Sequence, residues 1–241
     1  RSQDENPCIK YADHFYDLTF STDQDKILEI CKKERVNGVT SFLLESPIPC
    51  VYYVSRGLGV PCNSPECEAI TADKYTMREQ MRKKNVSIPA YKAIHSINEI
   101  IDIPFPVIIK PADSGGSRGV TLVRKPEDLQ KAIVSAIEWS SKKTVMVEQF
   151  IEGREFSVES ISYKGEHFVL QITDKVTTGS PHFIELAHHQ PAVLRKKQWN
   201  DIKELTLKTL KALKIEYGAS HTEVKIDPIG NPYVIEMGPR M

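Results

Sequence analysis

The sequence predicts a mixed α/β and α+β fold, and three observations carry that reading. Residues 1–70 alternate strand-like and helix-like pieces. Residues 107–123 put a glycine-rich tip between two β-rich runs. From residue 144 to the end, three strand-like runs are followed by a core helix over 199–213 and a tail that alternates at period two. The chain of 241 residues is long enough for a sizeable core in one large domain or two smaller ones.

Composition narrows the function classes. Lys plus Arg and Asp plus Glu each number 32, so no global field favours nucleic acid or an anionic membrane. No apolar run has the length of a bilayer span, and R-S-Q-D-E-N-P at the start has no signal-peptide core. The five cysteines (Cys8, Cys31, Cys50, Cys62, Cys67) are odd in number and lack zinc-finger spacing, which reads as reduced thiols in a cytoplasmic protein.

In the first 70 residues, H-F-Y-D-L-T-F and G-V-T-S-F-L-L are strand-like. Residues 23–36 place Ile27, Ile30 and Cys31 on one helical face, and residues 50–58 form a short helix. This is a piece of an open α/β layer, too short for a complete doubly wound domain and expected to lack its first strand and helix. Residues 71–85 then form a helix with a capping Thr or Asp at its start and basic residues at its end. Met77 and Met81 are expected in the core, with Lys74, Arg78 and Arg82 along another side.

Residues 107–123, V-I-I-K-P-A-D-S-G-G-S-R-G-V-T-L-V, read as a hairpin whose tip cannot pack. Gly115, Gly116 and Gly119 permit positive φ and close approach of backbone N–H groups to phosphate oxygens, and Lys110 ends the first strand aimed at the same place. A P-loop is excluded because its Lys and Ser/Thr follow the last glycine and open a helix. A protein kinase is excluded because neither H-R-D nor D-F-G follows.

Residues 126–139 are an amphipathic helix with Leu129, Ala132, Ile133, Ala136 and Ile137 on its core stripe. Two strands follow around Glu152-Gly153-Arg154, with Glu148 and Glu155 where one ends and the next begins, and Lys164-Gly165 turns into a third. Residues 177–194 show no sustained period, so they read as a functional or mobile loop. His182, His188 and His189 within it lack a carboxylate or Cys at metal-ligand spacing. Residues 199–213 form a second core helix.

In the tail, Thr222, Val224 and Ile226 alternate with His221, Glu223 and Lys225. Tyr233, Ile235 and Met237 alternate with Val234 and Glu236. A four-residue loop at 228–231 would set Asp227 against Pro232 and therefore Glu223 against Glu236. Facing carboxylates repel, so either Lys225 on the same face or a bound metal must compensate. Mg²⁺ suits such a pair because it takes one or two carboxylates plus phosphate oxygens.

Four of these stretches, D-K-Y-T-M-R, F-P-V-I-I-K-P-A-D-S-G-G-S-R-G-V, V-E-Q-F-I-E-G-R-E-F-S-V-E and V-I-E-M-G-P-R, stand in an order and spacing that resembles the ATP-grasp superfamily of carboxylate–amine ligases. The fold of carbamoyl-phosphate synthase large subunit and biotin carboxylase is the nearest likeness. The resemblance implies a partial pre-ATP-grasp Rossmann-like domain over 1–70, then an ATP-grasp domain over 71–241 with lobes 71–147 and 148–241, expected to be cut short at its end. It implies ATP and Mg²⁺ as cofactors, with Mn²⁺ as the alternative ion. Small-molecule carboxylate and amine substrates and a candidate homodimer follow, with no nucleic acid or membrane partner.

At matching positions, Lys74 and Lys110 resemble the lysines that hold the ATP phosphates under a lid of Ser114, Gly115, Gly116, Ser117, Gly119 and Val120. Glu148, Gln149, Phe150 and Ile151 resemble the segment whose backbone meets the adenine edge, and Glu155 the ribose ligand. Lys175 resembles a further phosphate-side cation. Glu223 and Glu236 resemble the metal ligands, and Arg240 the catalytic cation beside the reacting phosphoryl and acyl groups, with Lys110. The departure is Gly238, where the family pattern E-x-N-x-R has Asn, one oxygen ligand fewer. The resemblance leaves two alternatives, a carboxylase using bicarbonate and an ATP-binding module without turnover.

Overall fold

The computed structural model describes residues 9–42, 44–97, 99, 101–180 and 183–240. The chain divides into two compact units, Arg1–Cys62 and Asn63–Met241.

In the first unit, helices α1 (Gln24–Lys33) and α2 (Ile48–Leu58) pack on each other. The contact is close at Gly57, where a Cβ would lie 2.6 Å from the Leu28 side chain. Gly59, at φ 69°, closes α2 with a left-handed cap. The two strands expected here do not form among the described residues, and no open α/β layer is seen. A strand is stable only as part of a ladder, and among the described residues neither run has a strand partner. Phe42 and Leu44 accordingly stay 64% and 59% exposed.

The second unit holds two antiparallel sheets. The helix expected over 71–85 is α4 (Lys74–Lys83), with Asp73 as its cap, and a separate short helix, α3 (Pro65–Thr71), precedes it. Asp73 is extended, and its carboxylate accepts from Thr76 N at 2.8 Å, a cap that starts a new helix. Strands β1 (Tyr91–Ile94), β2 (Val107–Pro111), β3 (Thr121–Val123) and β4 (Val145–Gln149) form a sheet in the order β1-β4-β2-β3. Helix α5 (Leu129–Trp139) covers it, with Ala132, Ile133 and Ala136 buried against Val107, Ile109, Val145 and Val147.

The second sheet has the order β7-β6-β5-β8-β9. Its strands are β5 (Arg154–Tyr163), β6 (Glu166–Thr177), β7 (Glu185–His189), β8 (Gly218–Ile226) and β9 (Pro232–Gly238). Helix α6 (Lys196–Ala212) packs Ile202, Leu205 and Leu210 against Phe156, Val158, Ile172 and Val224, and Met77 and Met81 of α4 join this core as their spacing predicts. Residues 177–194 are not loop throughout, since β7 pairs with the end of β6 as an edge strand. Its five residues are all exposed, so no hydrophobic period could announce it. His182 and Cys8 lie outside the described residues.

One glycine is essential to the second sheet. Gly153 joins β4 to β5 at φ 130°, and a Cβ there would sit 1.9 Å from the Ile226 carbonyl oxygen. We expect Gly153→Ala to cost about 2–4 kcal/mol, since both backbone conformation and neighbouring backbone must yield. Urea melts of the two proteins measure it, and a loss below about 0.5 kcal/mol would refute the close approach.

Candidate functional site

The site is built on the polar faces of both sheets and on the first turns of α4. Lys74 is the first residue of α4, and its N–H donates to the Ala112 carbonyl at 3.0 Å, which ties the helix start to the end of β2. Its ammonium donates to the Ser114 carbonyl at 3.0 Å and to Glu236 Oε1 at 2.6 Å. The glycine tip is thus anchored where Lys74 meets β9. Within the tip the positive φ angles fall at Gly116 (67°), Gly119 (71°) and, in place of Gly115, at Ser117 (55°). Gly119 is held close, because a Cβ would meet Trp139 at 2.9 Å, whereas Gly116 has open space around it. Val120 N donates back to the Ser117 carbonyl at 3.3 Å. At the base, Asp113 accepts from Ser140 Oγ at 2.7 Å and Lys142 N at 3.1 Å, which fixes the stem of the tip.

Lys110 and Glu148 depart from the surface character of most strand-end charges. Both are buried, and Lys110 Nζ lies 2.8 Å from Glu148 Oε2. Arg78, expected on a basic side of its helix, is 2% exposed and donates Nε to Glu148 Oε1 at 2.9 Å and Nη2 to Oε2 at 3.2 Å. Burial alone would push the Glu148 carboxyl up; the Arg78 and Lys110 charges reverse this and hold it at about 2. Burial pulls the Lys110 ammonium down, opposed by Glu148.

Beyond Glu148, the N–H groups of Gln149 and Phe150 donate to the carbonyls of Ala90 (2.8 Å) and Pro106 (3.2 Å). Ile151 is buried beside them. Lys225 stands over the Phe150 ring, 4.8 Å from its centroid.

The two tail acids face each other, Glu223 against Glu236, as the sequence predicts. The route differs. Pro232 pairs with Ile226 and not with Asp227, so the loop is one residue longer, and a β-bulge between Glu223 and Val224 restores the register. The bulge also changes the phase of β9. Val234 and Met237 are both buried, while Tyr233, Ile235 and Glu236 are not. The compensating cation is not Lys225. Glu236 pairs with Lys74, and Glu223 Oε1 pairs with Lys175 at 2.8 Å.

Lys175 is the hub of this face. It also reaches Glu155 at 3.1 Å and Glu185 of β7 at 2.7 Å, and its side chain is 3% exposed. Burial would lower its ammonium, but Glu223 and Glu155 raise it above the usual lysine range. His221, two residues before Glu223 and on the same face, bonds Glu159 through Nδ1 at 2.6 Å. Burial would lower its imidazole, and Glu159 and Glu223 instead push it up to about 9. Burial raises the Glu223 carboxyl, and His221 and Lys175 overcome it and hold it well below the carboxylate range.

Among the described residues no group of three or more His, Cys, Asp or Glu side chains is arranged to hold a metal. The pair Glu223 and Glu236 does suit an ion that brings its remaining oxygens on a phosphate chain, and Gly238 opposite His221 adds no side-chain oxygen. Arg240, half-buried, follows two residues after β9. Arg78, Glu159 and Glu185 are the site residues that sequence reading missed. Only the H-T-E alternation, which sets His221 beside Glu223, was available to point toward Glu159.

Two antiparallel sheets with lysines and acids converging between them, and a glycine tip tethered over them, define a class of nucleotide-gripping fold. A family model described as ATP-grasp domain matches residues 103–241, and the chain belongs to that family. It is 28% identical over 178 residues to D-alanine–D-alanine ligase B of Clostridium perfringens, covering 70% of this chain and 57% of that protein. It is 25% identical over 236 residues to the carbamoyl phosphate synthase large chain of Clostridium botulinum, covering 90% of this chain and 21% of the relative. The solved L-amino acid ligase from Bacillus licheniformis superposes with a TM-score of 0.78 at 26% identity, over 92% of this chain and 55% of that one. The chain therefore spans about half the length of such relatives, or less. No helix among the described residues is long and apolar enough to cross a membrane.

Proposed function

We propose that this chain is the nucleotide-binding and phosphoryl-transfer part of an ADP-forming ligase, which activates a carboxylate as an acyl phosphate and passes it to an amine. The observation that carries the reading is the pair of opposed acids on β8 and β9, each held by its own lysine, Glu236 by Lys74 and Glu223 by Lys175. Each lysine there is balanced by a carboxylate that a phosphate could replace.

In this reading Lys74, Lys110 and Lys175 hold the triphosphate, and the 114–120 tip closes over it. Of residues 148–151, Ile151 offers its N–H to the adenine edge, because those of Gln149 and Phe150 are already engaged. The buried Glu148 side chain holds Lys110 in place, and Glu155, steadied by Lys175, would accept from the ribose hydroxyls. Glu223 and Glu236 would hold Mg²⁺, which when bound neutralises phosphate charge. The lysines and the tip align the γ-phosphoryl with the attacking carboxylate oxygen, so that catalysis is positioning plus electrostatics. Loss of ADP leaves the acyl phosphate. The amine attacks its carbon, phosphate departs, and Arg240 stabilises the oxyanion.

The names of the C. perfringens and B. licheniformis relatives make amino acids the first acids and amines to test. With a screen of amino acids, Mg-ATP and hydroxylamine, we expect a hydroxamate and stoichiometric ADP. Release of AMP and pyrophosphate would place the protein in an adenylating class. ADP formation that needs bicarbonate alone would favour the carboxylase reading, and none with any acid the non-catalytic one.

A further inference from the structure

We infer that Arg78 is a positioning residue that sets the register of the acid-bearing strand β9 and links it to the phosphate lysine Lys110. This rests on the proposed nucleotide site.

The guanidinium makes two kinds of contact. One edge forks onto both oxygens of Glu148, which in turn holds Lys110. The other donates Nη1 to the Val234 carbonyl at 3.0 Å and Nη2 to the Ile235 carbonyl. In a regular strand, successive carbonyls point to opposite sides, so one group cannot reach both. Here they converge because the bulge kinks β9 at Ile235, the residue left without a partner between the Val224–Val234 and Glu223–Glu236 pairs.

The bulge decides the geometry of the site. Continued without it, the pairing of Lys225 with Tyr233 and Val224 with Val234 would bring Ile235 against Glu223 and send Glu236 out of register. Ser87 secures the strand just before the bulge, its carbonyl accepting from Val234 N at 2.9 Å, but it does not touch the kinked carbonyls. Arg78 satisfies those, and being 2% exposed it excludes water from doing so. The fork is specific to arginine: a lysine keeps the charge opposite Glu148 but, as a point charge on a flexible stem, cannot span a carboxylate and two carbonyls.

The test is ADP binding to the whole chain, titrated at several Mg²⁺ concentrations, in wild type, Arg78→Lys, Glu148→Gln and Ile133→Val as a control in the core under α5. Wild type should bind ADP more tightly as Mg²⁺ rises. Arg78→Lys should bind ADP without metal within about threefold of wild type, yet need at least about tenfold more Mg²⁺ for half its gain. Glu148→Gln leaves Arg78 on the carbonyls, so it should weaken ADP binding while keeping the Mg²⁺ midpoint within about twofold, and Ile133→Val should change neither. A wild-type midpoint in Arg78→Lys overturns the inference while leaving the nucleotide site standing. If Arg78→Lys fails to fold, Glu148→Gln decides, and a tenfold shift of its midpoint overturns the inference. ADP binding to wild type that ignores Mg²⁺ overturns the proposed site itself.

Discussion

Replacing Lys110 by methionine is expected to weaken nucleotide binding by about 100-fold or more and to lower stability by about 1–3 kcal/mol. The first effect follows from losing a charge-assisted contact in a water-excluded site, worth about 3 kcal/mol when a phosphate is its partner, or two factors of ten. The second follows from the ion pair with Glu148, which is buried on both sides. Removing one member of such a pair strands the other, at a cost of about 3–5 kcal/mol in general. Arg78 remains on both oxygens of Glu148, which places the cost at or below the lower end. Calorimetric titration with Mg-ADP and a urea melt read the two effects separately. A folded variant with wild-type affinity would remove Lys110 from the nucleotide site.

Glu236→Gln is expected to separate stability from turnover in the other direction. Its carboxylate pairs with Lys74, and the side chains are 24% and 12% exposed, so its loss should cost about 1 kcal/mol or less. Turnover should fall by about 10²–10³-fold, the usual effect of removing one preorganised electrostatic group. The stabilisation that Mg-ATP gives by linkage should shrink with it. Glu223→Gln, which gives up both Lys175 and His221, should lose more stability than Glu236→Gln while losing comparable activity. Melting temperatures with and without Mg-ATP, alongside phosphate release, make the comparison. Full Mg-dependent turnover in Glu236→Gln would falsify its assignment as a metal ligand.

Much of the second unit was legible, because helices α5 and α6 bury one stripe, strand β8 alternates buried with half-buried residues, and turn residues at 152–154 and 164–165 mark the ends of β5 and β6. The same rule failed where burial gives no period. Strand β7 is exposed at every residue, and β1 is half-buried over most of its length, so only their ladders define them. In the first unit the signal misled in the opposite sense, since apolar runs with strand propensity form no ladder among the described residues. Propensity proposes a strand, and pairing makes one.

What the sequence by itself determined is which side chains share a face, His221, Glu223 and Lys225 by alternation, whereas the opposition of the acids at 223 and 236, though expected from it, depends on the β-bulge. What only the tertiary structure decided is which charges meet. Lys225 was available in sequence to neutralise Glu223, yet it lies over Phe150, and Lys175 from β6 takes that place. Arg78 follows Lys74 by one helical turn with nothing to distinguish a solvated cation from a buried one, yet it closes on Glu148 and on two kinked carbonyls of β9. The physical reason is range. Alternation and helical spacing act over a few neighbouring residues, whereas Lys74 and Glu236 or Arg78 and Val234 are brought together across more than 150 residues of chain by sheet packing.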